Sequence, residues 1–163
     1  MTIDAPLALY EGEVLDEWVD YNGHLNVAYF VLAFDLATDK FFDFVGVGAA
    51  YIAERNKSMF AAEAHVTYQR ELHRGDRLRV ATRLLGFDAK RLHFFHQMYH
   101  GSEGFLAATS EWLALHVDMG ARRSAPFPDD IAARLGDIRE AHAGLPPPPE
   151  VGRVMGLTAR PAS

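Results

Sequence analysis

One strongly apolar segment places the tightest limit on how this chain can fold. From Val27 to about Val45, apolar residues recur three or four positions apart, as they do on one face of an α-helix. That face would contain Val27, Phe30, Val31, Phe34, Ala37, Phe41 and Val45. Other apolar residues lie off it, including Leu32 and Phe44. Because a helix that is apolar over more than one stripe must be covered on most sides, the segment predicts a central helix wrapped by other elements.

The flanking residues predict where this helix begins and ends. Asn26 is of the type that accepts a hydrogen bond from the first turn, and Gly46 is of the type that ends a helix in the left-handed region. A short second helix is expected over residues 48–55.

The pattern changes after Ser58 into runs bounded by turn residues, which predict strands. Residues 8–15 are expected to form an earlier strand, and four more are expected over residues 59–74, 77–87, 91–100 and 105–117. Residues 74–76 and 101–104 have the composition of hairpin turns. We therefore predict an α+β fold, in which one strand and one long helix precede an antiparallel meander of four strands.

Length and composition predict a single domain. A chain of 163 residues that is 49% hydrophobic can bury one core but is too short for two ordinary ones. We expect the domain to cover residues 1–143, with its core at about 8–118 and a C-terminal helix at about 128–142. The proline-rich residues 144–163 are expected to form a tail.

Composition also excludes several kinds of site. The chain has no cysteine, so disulfides, thiolate zinc sites and cysteine nucleophiles are excluded. Its net charge of −6 argues against general nucleic-acid binding. His93, His96 and His100 would cluster on a helix, but on the expected strand they alternate between faces, so no metal is expected. No signal peptide or membrane span is evident, and a cytoplasmic protein is expected.

Charge is distributed unevenly along the chain. Residues 1–50 hold nine acidic residues and one basic residue, a balance of −8, whereas residues 51–123 hold eleven basic and eight acidic residues, a balance of +3. The second region could therefore bind an anionic ligand although the whole protein is acidic. A charged sheet face without a ligand would give the same pattern.

Residues 17–26 combine carboxylates, amides and an imidazole in a loop that opens the apolar helix. An Asn-Gly turn adopts positive φ at little cost, and a helix N-terminus presents unpaired N–H groups that suit a developing oxyanion. The candidate catalytic residues are Asp20, Asn22, Gly23, His24 and Asn26.

The spacing D-x-x-G-H-x-N at residues 20–26 resembles that of hotdog-fold acyl-CoA thioesterases of the 4-hydroxybenzoyl-CoA thioesterase-like group. Residues 63–72, 74–76, 90–93, 106–109 and 116–118 extend the resemblance over most of the chain. Residues 18–24 most resemble the betainyl-CoA thioesterases of carnitine breakdown. The resemblance implies hydrolysis of a small acyl-CoA thioester without a cofactor. It also implies a homodimer or dimer of dimers whose sheets join edge to edge.

The same resemblance suggests roles for the loop residues. Asp20 would be the nucleophile or general base, although an aspartate at this position also commonly hydrogen-bonds its own turn. Asp20, Asn22 and His24 also match the D-x-N-x-H run of plant acyl-carrier-protein thioesterases, and Glu71 falls near a carboxylate of those enzymes. His24 would activate water or protonate the leaving thiolate, unless it only caps or packs.

Candidate binding residues divide into two groups. A quaternary ammonium substrate would need aromatic faces and an acidic group, since it makes no hydrogen bonds. The candidates for that role are Trp18, Tyr21, Tyr29, Tyr68 and Trp112, with Glu63 and His65 contributed across a subunit boundary. Alternatively, the rings belong to the core or an interface, and Glu63 and His65 belong to an exposed sheet face. The candidates for the coenzyme A phosphates are Lys90, Arg91, Arg122 and Arg123, which could equally be solvated.

Three functions remain open from the sequence. An acyl-CoA thioesterase would depend on Asp20, and a hotdog dehydratase or hydratase would instead pair His24 with a partner's carboxylate. A non-catalytic acyl-CoA-binding protein would bind ligand without turnover.

Overall fold

A long helix packs against a curled antiparallel sheet in the computed structural model, which describes residues 2–157. The strands are β1 (Leu7–Glu13), β2 (Lys57–Tyr68), β3 (Arg77–Phe87), β4 (Arg91–His100), β5 (Leu106–Asp118) and the short β6 (Arg123–Ser124). The helices are α1 (Val27–Val45), α2 (Ala49–Arg55) and α3 (Asp129–His142), and a 3₁₀ turn covers Asp16–Trp18. Five strands form the sheet in the order β1-β3-β4-β5-β2, with β6 beside β5. The α+β hotdog fold is confirmed.

The predicted ends of α1 are confirmed. The Asn26 side chain accepts a hydrogen bond from the Ala28 N–H at 2.9 Å. Gly46 has φ of 92°, in the left-handed region that favours glycine, and it ends the helix.

The buried face of α1 forms the centre of the core. Phe34, Ala37 and Phe41 are fully buried there, and the Phe41 ring lies 5.2 Å from that of Phe94 on β4. Val27, expected on this face, is instead 57% exposed because it lies in the first turn, and Leu32 is 37% exposed. A single chain therefore covers the sheet-facing side of α1 and leaves part of its other side open.

Two predictions about strand pairing are wrong. β2 ends at Tyr68 rather than at residue 74, and the turn at residues 74–76 does not join neighbouring strands, because β2 pairs with β5 and β3 pairs with β1. Residues 69–73, the crossing segment, lead from β2 at one edge of the sheet to β3, which lies next to the opposite edge strand. Within this segment Leu72 is fully buried and its carbonyl accepts the Leu25 N–H at 2.7 Å. Residues 101–104 do join neighbouring strands, as predicted.

The segment after α3 lies across the sheet face opposite α1. Arg83 donates hydrogen bonds to the carbonyls of Leu145 and Pro146 at 2.6 and 2.5 Å. The Gly152 N–H donates to the Glu111 carboxylate at 2.9 Å. The first part of the predicted tail is thus docked as far as Gly152, whereas residues 153–157 are exposed and residues 158–163 lie outside the described residues.

Among residues 2–157, no helix has the length and apolar character needed to cross a membrane.

Candidate active site

The candidate catalytic residues lie in a tight hairpin that leads into α1. The Asp20 N–H donates to the His24 carbonyl and the Gly23 N–H donates to the Asp20 carbonyl, both at 3.0 Å. Gly23 has φ of 81°, so the Asn-Gly turn adopts the backbone conformation predicted from the sequence. A β-bridge between Val19 and Leu25 closes the hairpin.

The Asp20 carboxylate is half-buried and only partly engaged. Its Oδ1 accepts the Asn22 N–H at 2.8 Å, whereas its Oδ2 accepts no hydrogen bond from the residues that the structure describes. One oxygen therefore fixes the orientation of the side chain and the other remains available to a ligand. A role confined to the turn would account for only one of the two oxygens.

The backbone narrows the choice of oxyanion donors. Of the N–H groups from Gly23 to Val27, which lead into the helix N-terminus, those of Gly23, Leu25 and Asn26 already donate to carbonyls of the chain. Within the described part of the chain, the N–H groups of His24 and Val27 have no such acceptor. Val27 is the first residue of α1, where the positive end of the helix dipole adds to the attraction for an anion.

His24 belongs to a cluster of polar side chains at the mouth of the loop. Its Nε2 lies 3.2 Å from an oxygen of Glu71, and its ring centroid lies 5.2 Å from that of His73. Asp76 Oδ2 lies 3.6 Å from His73 Nδ1 and 3.5 Å from His100 Nε2. The sequence identified His24 and Glu71 as candidates but not His73 and Asp76, which come into place through the crossing segment.

The predicted aromatic residues do not form one cage in a single chain. Trp18 is buried and stacks on Tyr29 at 5.7 Å, directly beside the loop. Tyr68 contacts Phe30 instead, at 5.4 Å. Tyr21 is 98% exposed, and Trp112 stacks on Phe94 in the core. Of the five predicted rings, only those of Trp18 and Tyr29 thus stack on each other.

Glu63 and His65 lie away from the Asp20 loop in the chain. They line a cavity of about 830 Å³ on the tail-covered side of the sheet, together with His93 and Glu111. The His93 Nε2 and a Glu111 oxygen are 2.7 Å apart. Any contact of Glu63 or His65 with the Asp20 site would require a second chain.

The predicted phosphate-binding residues also lie far from the loop. The Arg91 guanidinium bonds to Asp88 at 2.7 Å and holds the pKa of that carboxyl at about 2. Lys90 lies in the turn between β3 and β4, and Arg122 and Arg123 lie at the same end of the sheet. The Asp20 loop lies at the other end of β3. Given the rise per residue of a β-strand, the two ends are roughly 30 Å apart.

Arg70, which no sequence pattern marks as a ligand-binding residue, lies closer to the Asp20 loop. The Arg70 guanidinium sits 3.6 Å above the Phe105 ring, in the segment that also supplies Glu71. It follows the last residue of β2 by two positions, so its location depends on the chain crossing rather than on a local motif.

His96 is a buried core residue rather than a ligand. Its two ring nitrogens each lie 2.9 Å from a hydroxyl, those of Thr38 and Thr82, and burial lowers its pKa to about 3. The ring is therefore neutral and fully engaged. His93 lies on the opposite face of β4, as strand alternation predicts.

Comparison with known proteins identifies the same architecture. A betainyl-CoA thioesterase of Pseudomonas aeruginosa is 44% identical over 93% of this chain and 95% of its own length. A protein of Pseudomonas putida KT2440 described as a candidate thioesterase superposes with a TM-score of 0.83 at 36% identity, over 96% of this chain and 99% of its own. A hypothetical protein of Staphylococcus aureus, solved in complex with CoA, has a TM-score of 0.87 over 97% and 100% of the two chains. At 23% identity, that match supports the fold alone.

The family assignment rests on the greater part of the chain. Residues 14–135, which include the Asp20 loop, α1 and the sheet from β2 to β5, match the model of one family. The chain belongs to that family, the thioesterase-like superfamily, and is a hotdog-fold thioesterase.

Proposed function

We propose that this chain hydrolyses betainyl-CoA to betaine and free CoA, with Asp20 as its catalytic carboxylate. The observation that carries the proposal is the pairing of an oriented carboxylate, whose Oδ2 is unengaged within residues 2–157, with the unpaired N–H of Val27 at the start of α1. The 44% identical relative supports the choice of substrate.

The reaction adds water across the C–S bond of the thioester. The carbonyl oxygen would lie against the Val27 N–H, which stabilises the negative charge that develops there. Asp20 would either remove a proton from the attacking water, or attack the carbonyl carbon itself and form an anhydride that water then hydrolyses to betaine and free Asp20. When the C–S bond breaks, His24 would donate the proton that converts the CoA thiolate to the thiol.

The trimethylammonium group of the substrate needs a site without hydrogen bonds. The stacked pair of Trp18 and Tyr29 offers aromatic surface next to Asp20, and the Asn26 N–H ties the Trp18 carbonyl to the start of α1 at 2.9 Å. Cation–π contacts contribute about 0.5–2 kcal/mol each, with the larger values where water is excluded. Trp18 is 8% exposed, so its position is fixed by packing.

A second copy of the chain would complete this site. β2 is an edge strand whose Phe60 and Tyr68 are 47% and 48% exposed, and Leu32 on α1 is also open. Edge strands with exposed apolar side chains readily pair with another chain. We propose a homodimer, or a dimer of dimers, that joins two sheets at β2. Such a dimer would bring the partner's basic residues closer to the Asp20 loop and supply the coenzyme A contacts.

Thiol release from a panel of CoA esters tests the proposed substrate. The panel contains betainyl-CoA and its neutral isostere 3,3-dimethylbutanoyl-CoA, in which carbon replaces the charged nitrogen. We expect kcat/KM to favour betainyl-CoA by about tenfold or more, the factor that one or two cation–π contacts provide. Trp18→Leu should reduce this preference while leaving Asp20 in place. Equal rates on the two esters would overturn the substrate proposal, and a dominant monomer in light scattering would overturn the dimer.

A further inference from the structure

We propose that His24, Glu71 and His73 form a binding site for a divalent transition metal ion, with Zn²⁺ as the representative. Each residue offers one ligand atom, and these atoms lie within 4.8 Å of one another. Two imidazoles and one carboxylate are a donor set that suits zinc and its neighbours in the first transition row.

The backbone holds the three residues together. His24 and His73 face each other across an antiparallel β-bridge. The Leu25 N–H bonds to the Leu72 carbonyl beside that bridge, which makes the two histidines a non-hydrogen-bonded pair, the arrangement that brings facing side chains closest. Glu71 lies two residues before His73 and is already 3.2 Å from His24.

Asp76 holds the backbone of His73 and lies near its imidazole. Its Oδ2 accepts the His73 backbone N–H at 2.7 Å and lies 3.6 Å from His73 Nδ1. A carboxylate on one ring nitrogen is the usual outer contact of a metal-binding histidine, since it leaves the other nitrogen for the ion. Asp76 is therefore placed to become this outer contact when Nε2 of His73 binds metal, after a small rotation that shortens the distance to Nδ1.

The cluster has room to close around an ion. The side chains of His24, Glu71 and His73 are 35%, 64% and 59% exposed, so small rotations can bring their ligand atoms to about 2.0–2.2 Å from a shared ion. Water would supply the remaining ligands. Because the ion would occupy His24, it should also inhibit hydrolysis, a consequence that rests on the proposed function.

Titration calorimetry with zinc chloride tests the site directly. The sequence has no cysteine, so thiolates do not compete for the metal. We expect one ion per chain for the unaltered protein, and affinity weakened by about tenfold or more in both His73→Asn and Glu71→Gln. His93→Asn is the matched control, because His93 is also paired with a carboxylate but belongs to no group of three ligands among residues 2–157. A melting curve for each variant confirms that it is folded.

Two results would overturn the metal site. One is the absence of binding at zinc concentrations up to about 1 mM, and the other is binding that persists unchanged in His73→Asn. Cobalt titration provides a second readout, since Co²⁺ bound by these ligands changes its visible absorption. Neither measurement uses substrate, so the metal site stands or fails separately from the proposed hydrolysis.

Discussion

Two regions of this molecule contain a histidine next to a carboxylate, and they differ in how fully their polar atoms are engaged. On the tail-covered face, one Glu111 oxygen contacts His93 at 2.7 Å and the other accepts the Gly152 N–H at 2.9 Å. At the loop mouth, Glu71 is 64% exposed and contacts His24 at 3.2 Å. In the first pair both carboxylate oxygens are engaged by the chain itself, whereas in the second only one oxygen of Glu71 has a partner among residues 2–157; we call them the closed pair and the open pair.

The same difference extends to the surroundings of each pair. Arg83 uses two N–H groups to hold the carbonyls of Leu145 and Pro146 against the sheet, and only its buried Nε lacks a partner among residues 2–157. Near the loop, in contrast, Asp20 Oδ2 and the Val27 N–H have no partner within residues 2–157. Polar groups that are satisfied internally stabilise the fold, and those left unsatisfied at a concave surface are available for chemistry. We therefore predict that substitutions near the Asp20 loop will lower turnover and that substitutions on the tail-covered face will lower stability.

Asp20→Asn should have the largest effect on turnover. Asparagine can still accept the Asn22 N–H through its side-chain oxygen, but it is neither a competent nucleophile nor a base. We expect kcat to fall by about 10³-fold with little change in melting temperature. Thiol release measures the rate, with Glu111→Gln as the control on the other face. A rate within a few fold of the unaltered enzyme would rule out Asp20 as the catalytic carboxylate.

Replacing His24 or His93 by asparagine should show that only one of the two histidine–carboxylate pairs takes part in turnover. His24→Asn removes the proposed proton donor, and we expect kcat to fall by about 10²-fold. His93→Asn alters only the closed pair, so kcat should be unchanged. If both variants lost activity equally, the distinction between an open and a closed pair would fail.

Arg83→Met should affect stability rather than turnover. It removes both side-chain hydrogen bonds to the segment after α3 and leaves two carbonyls without those donors. We expect the free energy of unfolding to fall by about 1–3 kcal/mol in urea titrations, with kcat unchanged. Arg79→Met is the matched control on the same strand, because Arg79 lies over the Tyr99 ring and is exposed. A stability loss in Arg79→Met as large as that in Arg83→Met would contradict the role of the docked segment.

Acid should weaken the fold through a third kind of histidine, one that is buried without an acidic partner. Burial lowers the pKa of His96 from 6.5 to about 3, so between these values the unfolded chain binds a proton that the folded chain does not. The free energy of unfolding is therefore not reduced by His96 above pH 6.5. Below that pH it falls by up to about 1.4 kcal/mol per pH unit. Burial also lowers the pKa of His116 and His142, which act in the same direction. Urea midpoints from pH 7.5 to 5 measure the trend, and a midpoint that rises on acidification would contradict it.

Local patterns were sufficient to predict α1 and the loop before it. The apolar spacing, the cap residue Asn26 and the stop at Gly46 act within one segment, and the helix forms over Val27–Val45 as predicted. The turn at Gly23 likewise needs only neighbouring residues. These features depend on interactions between residues close in sequence, which a single sequence contains.

Pairings between residues far apart in the sequence cannot be predicted from such local patterns. Residues 74–76 do form a turn, but turn composition does not specify which strands become neighbours, so β2 was placed beside β3. For the same reason His73 was missed, because its partner His24 lies 49 positions earlier in the chain. The positions of the aromatic rings also depended on packing, which buried Trp18 and left Tyr21 exposed.

The first turn of α1, which Asn26 holds in place, should determine the temperature at which turnover is lost. The Asn26 side chain accepts the Ala28 N–H, and the Asn26 N–H donates to the Trp18 carbonyl. Fraying of this turn would therefore displace Val27 and, at the same time, free Trp18 from its stack with Tyr29. Helix ends open more readily than the core of a sheet. We therefore expect heat to abolish turnover several degrees below the calorimetric melting temperature, and to do so reversibly, because the sheet that re-forms the turn is still intact.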